Sequence, residues 1–470
     1  MRTLAAAESA QKPPCTMNAM TMNTSRRLAH EKLAALPGVR PIRRPVRRGV
    51  DDEFDVYYVR TGRKSAHPLL IIPGGPGAAS IALYRALRRR AAIDGLDVIM
   101  VEHRGVGLSR HDDAGRDLPP EALSIDMVID DIVAVLDDAG VDRAVVYGTS
   151  YGSYLAAGLG VRHPSRIHAM VLDSPLLSAD DIDDVRAQIR RVLWDGQNRT
   201  DDKNRTDGQN GTDDKNGTGS QNGTDDKNVM DPGGGELAAK VRRLVTDGVL
   251  APTTVLRAAD MYGIAGPDVL GRQLDLLLAG HDWLWTAVGL GTRLLLERRT
   301  PYHHEPDLVE RIAYRELNYG AVPDGGPLDP AVAFREIASG DVDFVAEPYD
   351  LTSAMPGFTW PTAVISGGRD LTTPPVVARR ITDLIPDSVL IELPTTGHSI
   401  LDTREHAALE ICKAAFTGEI RQLSSRSSEL DALPANVTVR LLVRSIRIAA
   451  KAESVVPDAV PRAVRQATTS

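Results

Sequence analysis

Three four-residue runs, Leu69-Leu70-Ile71-Ile72, Val98-Ile99-Met100-Val101 and Ala144-Val145-Val146-Tyr147, are apolar at every position. Strands without polar alternation must be covered on both faces, which is the condition of a parallel sheet between helices. Phe54–Arg60 and Ile167–Leu172 read as further strands. Between them Ile125, Val128, Ile129, Ile132, Val133 and Leu136 recur with the period of a helix. The strand rhythm stops near Pro175. Residues 176–355 are mainly helical in pattern, as in Leu274, Leu277 and Leu278 or Val309, Ile312 and Ala313. Strands return at Thr362–Ser366 and Val389–Leu393, and a closing helix is expected over 403–416. The expectation is an α/β core of residues 50–175 and 356–417, with a mostly parallel sheet covered by helices on both faces. A helical cap, 176–355, would lie over the carboxyl ends of the strands, where such sheets bind ligands.

The remaining segments carry less information. Residues 1–49 are polar and basic (Arg40, Arg43, Arg44, Arg47, Arg48) and read as a tail lying over the surface. An anchor for an anionic surface is the alternative reading. Inside the cap a hexapeptide repeat begins at Asn198, Asn204, Asn210, Asn216 and Asn222. Residues 196–228 hold no Val, Ile, Leu or aromatic residue and cannot build a core, so a disordered expansion loop is expected. Its Asn-x-Thr matches to a glycosylation sequon are read as a by-product of the repeat, and its Asp pairs lack the register of calcium-binding repeats. Residues 418–470 form an extension in which Val437–Ile448 fits either an amphipathic helix or an edge strand. Met17, Met20 and Met22 are alternative starts.

Composition excludes several classes. A net charge of -8 gives no reason to expect nucleic acid as a partner. Cys15 and Cys412 are the only cysteines, too few for a disulfide scaffold or a cysteine-rich metal site. No apolar run approaches ~20 residues, so no membrane partner is expected, and without a signal-like N-terminus the cytoplasm is the default. Neither cofactor nor metal is expected. The oligomeric state is not legible.

The chemistry gathers at Gly148-Thr149-Ser150-Tyr151-Gly152. A strand precedes this Gly-x-Ser-x-Gly and a helix-like run, Ser153–Leu159, follows. That context makes it a nucleophile elbow with Ser150 at the tip. Side chains at 148 and 152 would crowd the approach of strand and helix. Ser153 and Ser109 sit at no elbow and are rejected. A serine hydroxyl needs a base within reach, and the base needs a carboxylate to orient it. Asp370 follows the strand ending at Ser366, and His398 follows the strand ending at Leu393, so the chain order is Ser, Asp, His. Asp370 is favoured over Asp173, which follows the strand ending at Leu172. His163 and His406 fall within helical patterns. The oxyanion needs backbone donors: the N–H of Tyr151 is one, and Gly75, in Gly74-Gly75-Pro76-Gly77, is chosen as the second, with Gly74 its neighbouring alternative.

Pro73-Gly74-Gly75-Pro76-Gly77, Glu102-His103-Arg104-Gly105-Val106-Gly107-Leu108-Ser109, Gly148–Ala156, Asp370 and Gly397-His398 together resemble the prolyl iminopeptidase and tripeptidyl aminopeptidase family of α/β-hydrolases. The likeness covers roughly 50–175 and 356–416. It departs at Pro73, where many members have His, and at Glu102, where Asp is usual. The resemblance implies a serine aminopeptidase that releases amino acids or short peptides from a free N-terminus, often with proline at the cleaved bond, with a peptide or a small ester or amide as substrate. It also implies that acidic cap residues hold the substrate ammonium, and Glu316 is the candidate. An esterase or other small-molecule hydrolase is the alternative. A non-catalytic binding protein of the same fold would need a broken triad, and an epoxide hydrolase or dehalogenase would need Asp at position 150.

Overall fold

The computed structural model describes residues 24–196, 234–292, 299–338 and 343–455. Eight strands form one sheet: β1 (Val39–Pro45), β2 (Glu53–Thr61), β3 (Leu69–Ile72), β4 (Val98–Val101), β5 (Ala144–Thr149), β6 (Ile167–Asp173), β7 (Thr362–Gly367) and β8 (Ser388–Leu393). Their order across the sheet is β1-β2-β4-β3-β5-β6-β7-β8. The β1–β2 and β2–β4 pairs are antiparallel, and every other neighbouring pair is parallel. β3, β4, β5 and β7 are buried at every residue, as unbroken apolar runs require. Two cores result, one on each face. Helix Ile125–Asp138 and helix Tyr151–Arg162 cover one with Ile129, Ile132 and Leu155. Helix Glu405–Thr417 covers the other with Leu409 and Ile411.

The N-terminal segment departs from the tail expected of it. Thr24–Ala34 is a helix, and β1 is the edge strand of the sheet, paired along its whole length with β2. Its prolines, Pro41 and Pro45, suit an edge, where one row of N–H groups has no partner strand. Two of its arginines are anchors: Arg43 pairs with Glu53, Asp55 and Asp113, and Arg44 joins the buried Asp131. Their charge is thus spent on acids of the same molecule.

Residues 234–278 fold as helices Gly234–Thr246, Val255–Ala265 and Pro267–Leu278, which share a third apolar cluster through Val241, Leu244, Leu270 and Leu274. Leu371, directly after Asp370, belongs to the same cluster and ties the cap to the core. The undecided segment of the C-terminal extension is a helix, Val437–Glu453, and its Ile446 and Ala450 pack into that cluster. The hexapeptide repeat lies outside the described residues.

Candidate active site

Ser150 stands between β5 and helix Tyr151–Arg162 with φ 52 and ψ -124. Non-glycine residues rarely adopt such angles, and the surroundings enforce them. A Cβ on Gly148 would lie 2.2 Å from the Gly152 carbonyl oxygen, and one on Gly152 would lie 2.2 Å from that of Ile72. Both contacts are with backbone, which cannot step aside, so both positions need glycine. The Ser150 N–H donates to the Asp173 carbonyl at 2.9 Å, and Ser153 Oγ donates to the Ser150 carbonyl at 2.6 Å. The elbow is held from both sides.

Asp370 and His398 come from the loops after β7 and β8. Asp370 Oδ2 accepts from His398 Nδ1 at 2.9 Å and from Thr373 Oγ1 at 2.8 Å. Its Oδ1 accepts the N–H groups of Thr372 at 2.8 Å and Thr373 at 2.9 Å. Burial favours the neutral acid, but the imidazole and the Thr373 donors outweigh it and hold the Asp370 carboxyl below its usual range. Burial also disfavours a charged imidazole at His398. The charge and hydrogen bond of Asp370 overcome this and raise His398 to about 9. With Nδ1 turned to Asp370, Nε2 is the nitrogen left for a proton from elsewhere.

Asp173, the rival acid, makes no bond to the imidazole. It accepts from Tyr147 Oη at 2.8 Å and from the N–H groups of Ile400 at 3.3 Å and Leu401 at 3.2 Å. It therefore fixes the loop that carries His398. A second tie, Thr149 Oγ1 to Ser399 Oγ at 3.1 Å, links the residue before Ser150 to the residue after His398.

The Gly-Gly-Pro-Gly loop lies against the elbow. A Cβ on Gly74 would sit 3.2 Å from Ser150 Cβ and 3.9 Å from its Oγ. Gly75 follows with φ 129. Tyr151 opens its helix, so its N–H has no carbonyl of that helix to bind. The loop is braced from outside. The Glu305 N–H donates to the Gly77 carbonyl at 2.8 Å, and Arg26 of the N-terminal helix grips the fully buried Glu305 carboxylate at 2.6 and 3.0 Å.

Glu316 makes no hydrogen bond to Ser150, Asp370 or His398, but its charge acts on the Tyr151 hydroxyl. It is half-buried, its Oε2 accepts the Ile125 N–H at 3.1 Å, and burial pushes its carboxyl up to about 7. Two other carboxylates line a cavity of about 60 Å³ that abuts the Asp370 loop at Leu371 and Thr372. Asp181 is 5% exposed and accepts from the Leu177 N–H at 2.7 Å, while its Oδ1 has no partner. Asp260 lies one turn before Gly263, where an added Cβ would lie 3.6 Å from Gly397 Cα and 3.9 Å from the His398 amide nitrogen. Burial raises Asp181 to about 7 and Asp260 to about 6; for Asp260, His398 pulls down and Asp370 pushes up.

A family model described as the alpha/beta hydrolase fold matches residues 67–405. The chain belongs to this hydrolase family. Among curated relatives, a proline iminopeptidase of Neisseria meningitidis is 27% identical over 138 residues, 28% of this chain and 41% of that protein. A proline iminopeptidase of Xylella fastidiosa is 30% identical over 126 residues, 26% of this chain and 37% of that protein. The hydrolase therefore spans about two fifths of the length of these relatives. Among solved structures, a proline iminopeptidase of Mycobacterium smegmatis aligns over 81% of this chain and 99% of its own, at 17% identity and a TM-score of 0.45.

Sequence reading of this hydrolase missed Thr373, Asp181, Asp260, Arg26 and Glu305. An acid within a helical stretch usually marks a solvated face, so Asp181 and Asp260 gave no signal. The Arg26–Glu305 pair joins residues 279 positions apart.

Proposed function

We propose that this hydrolase is a serine enzyme that cleaves through an acyl-enzyme, with Ser150 as nucleophile, His398 as base and Asp370 as its orienting carboxylate. What supports the reading is a strained elbow serine after β5 and a bonded Asp–His pair on the loops after β7 and β8, with the residue before Ser150 tied to the residue after His398 by the Thr149–Ser399 bond. Ser150 Oγ attacks a carbonyl carbon and its proton passes to His398 Nε2. The oxyanion is held by the N–H of Tyr151 and one from the Gly74-Gly75 loop. The imidazolium returns the proton to the leaving group, and water, deprotonated by the same nitrogen, releases the acid. With His398 raised to about 9, the free base fraction grows as pH rises. kcat/KM is expected to increase close to tenfold per pH unit from ~6 to ~8 and to level off near 9. A plateau already reached by pH ~7 would overturn the pairing of His398 with an ionised Asp370.

The finer reading is an aminopeptidase, and the partial likeness to proline iminopeptidases supports it. Asp181, with one unpartnered buried oxygen, and Asp260 suit a substrate ammonium in the cavity beside Asp370. An ammonium needs a carboxylate when it leaves water. Glu316 does not line this cavity and is the weaker candidate. Asp260→Asn is expected to raise KM for unblocked aminoacyl-naphthylamides about tenfold or more and to leave p-nitrophenyl ester turnover within threefold. Glu316→Gln should change both substrates alike. Comparing free and N-acetylated aminoacyl-naphthylamides with esters tests the class. Robust turnover of esters alone would favour the esterase.

A further inference from the structure

Helix Val437–Glu453 has two unlike faces. One packs on the cap through Ile446 and Ala450, helped by Val443 and Ala449. The other points outward and is not the polar face that a solvent-facing helix needs. Val437, Leu441 and Ile448 are 60%, 57% and 61% exposed. At about 100° per residue they fall within about 40° of one another, so they form one stripe along the helix. Val455, two residues past the helix end, is 77% exposed and continues the same spacing.

Arg440, Arg444, Arg447 and Lys451 flank this stripe along one side, and all four are exposed. None has an ion-pair partner among the described residues. The contrast with β1 is informative, because Arg43 and Arg44 there are consumed by acids of the same molecule. The helix has a single acid, Glu453, and it is turned inward. Its carboxylate oxygens accept the N–H groups of Trp283 at 2.8 Å and Leu284 at 3.0 Å. A chain of net charge -8 thus presents an uncompensated basic edge beside an aliphatic stripe.

From this pairing we infer that the outer face of helix Val437–Glu453 docks the hydrolase on an anionic phospholipid bilayer. Aliphatic side chains gain by entering the acyl boundary, and the adjacent cations gain by meeting lipid phosphates. A helix lying in the interface needs no spanning run, so the lack of a helix able to cross a membrane among the described residues does not conflict with it. A second copy fits less well. Symmetric pairing would bring two sets of four cations together without an acid between them.

The test is co-sedimentation of the full chain with vesicles of phosphatidylcholine alone or of equal parts phosphatidylcholine and phosphatidylglycerol. Binding at least about tenfold tighter to the anionic vesicles is expected, weakening between ~50 mM and ~500 mM salt. The triple variant Arg440→Gln/Arg444→Gln/Arg447→Gln should lose that preference. Leu441→Glu/Ile448→Glu should bind at least about tenfold less to both kinds of vesicle. Because these side chains face outward, both variants should keep the parent's circular dichroism and ester turnover, which separates failure of docking from failure of the fold. Absence of binding, equal binding to both vesicle types, or variants that bind like the parent would overturn the inference. So would a concentration-dependent dimer abolished by Leu441→Glu, which would assign the stripe to a second copy.

Discussion

Ser150→Ala is expected to lower kcat by about a millionfold, with KM within a few-fold of the parent and the melting temperature nearly unchanged. The magnitude follows from the role proposed for the hydroxyl. Without Oγ no acyl-enzyme forms, and only the oxyanion donors and the cavity remain, which together sustain ~10³-fold over water. Stability is preserved because the strain at this residue belongs to the backbone. The φ of 52 is imposed by Gly148 and Gly152, and the bonds that hold the elbow use the Ser150 N–H and carbonyl, which alanine keeps. A fluorophosphonate should label the parent stoichiometrically and leave the variant unlabelled. Activity within tenfold of the parent, or labelling of the variant at another residue with activity retained, would remove Ser150 from the mechanism.

Much of this architecture was legible because its physics is local. A run such as Leu69–Ile72 with no polar residue admits only a covered strand, and Gly-x-Ser-x-Gly after such a strand admits a tight elbow. Asp370 and His398 were legible through their positions just after strands. β1 was not. Val-Arg-Pro-Ile-Arg-Arg-Pro has the composition of a solvated arm, and only Glu53, Asp55, Asp113 and Asp131 make its arginines structural. The partners that tune the site come from remote segments. Thr149 and Ser399, which fasten the elbow to the histidine loop, are 250 residues apart. Asp260 gains its interest from Gly397, whose missing side chain lets the cap helix approach at Gly263, one turn on; a Cβ on Gly397 would lie 2.6 Å from the Gly263 carbonyl oxygen. Neither relation has a periodicity or a motif to announce it.

The same distinction between what a residue is and what faces it governs Asp370→Asn. This variant is isosteric, and the loop dictates how it must sit. Oδ1 of Asp370 accepts two backbone N–H groups, from Thr372 and Thr373, and an amide nitrogen cannot replace it there. The asparagine oxygen takes that place, so its NH₂ is turned toward His398 Nδ1, where Oδ2 now lies at 2.9 Å. A donor facing Nδ1 forces that nitrogen to be the acceptor and puts the imidazole proton on Nε2, the atom that must accept from Ser150. kcat is expected to fall about 10⁴-fold. The pH profile should move as well. Asp370 does most to lift His398 against its burial, with Asp173 and Asp402 adding to it, so with the Asp370 charge gone the acidic limb should shift down from about 9. The variant should therefore be far slower at every pH, yet reach its plateau at lower pH than the parent. A steady-state profile from pH ~5 to ~10, with ¹⁵N spectra of the imidazole to report the tautomer, checks both effects. Loss of rate with the limb still near 9 would assign the charge on His398 to another acid. Unchanged rate would dismiss Asp370 as the orienting carboxylate.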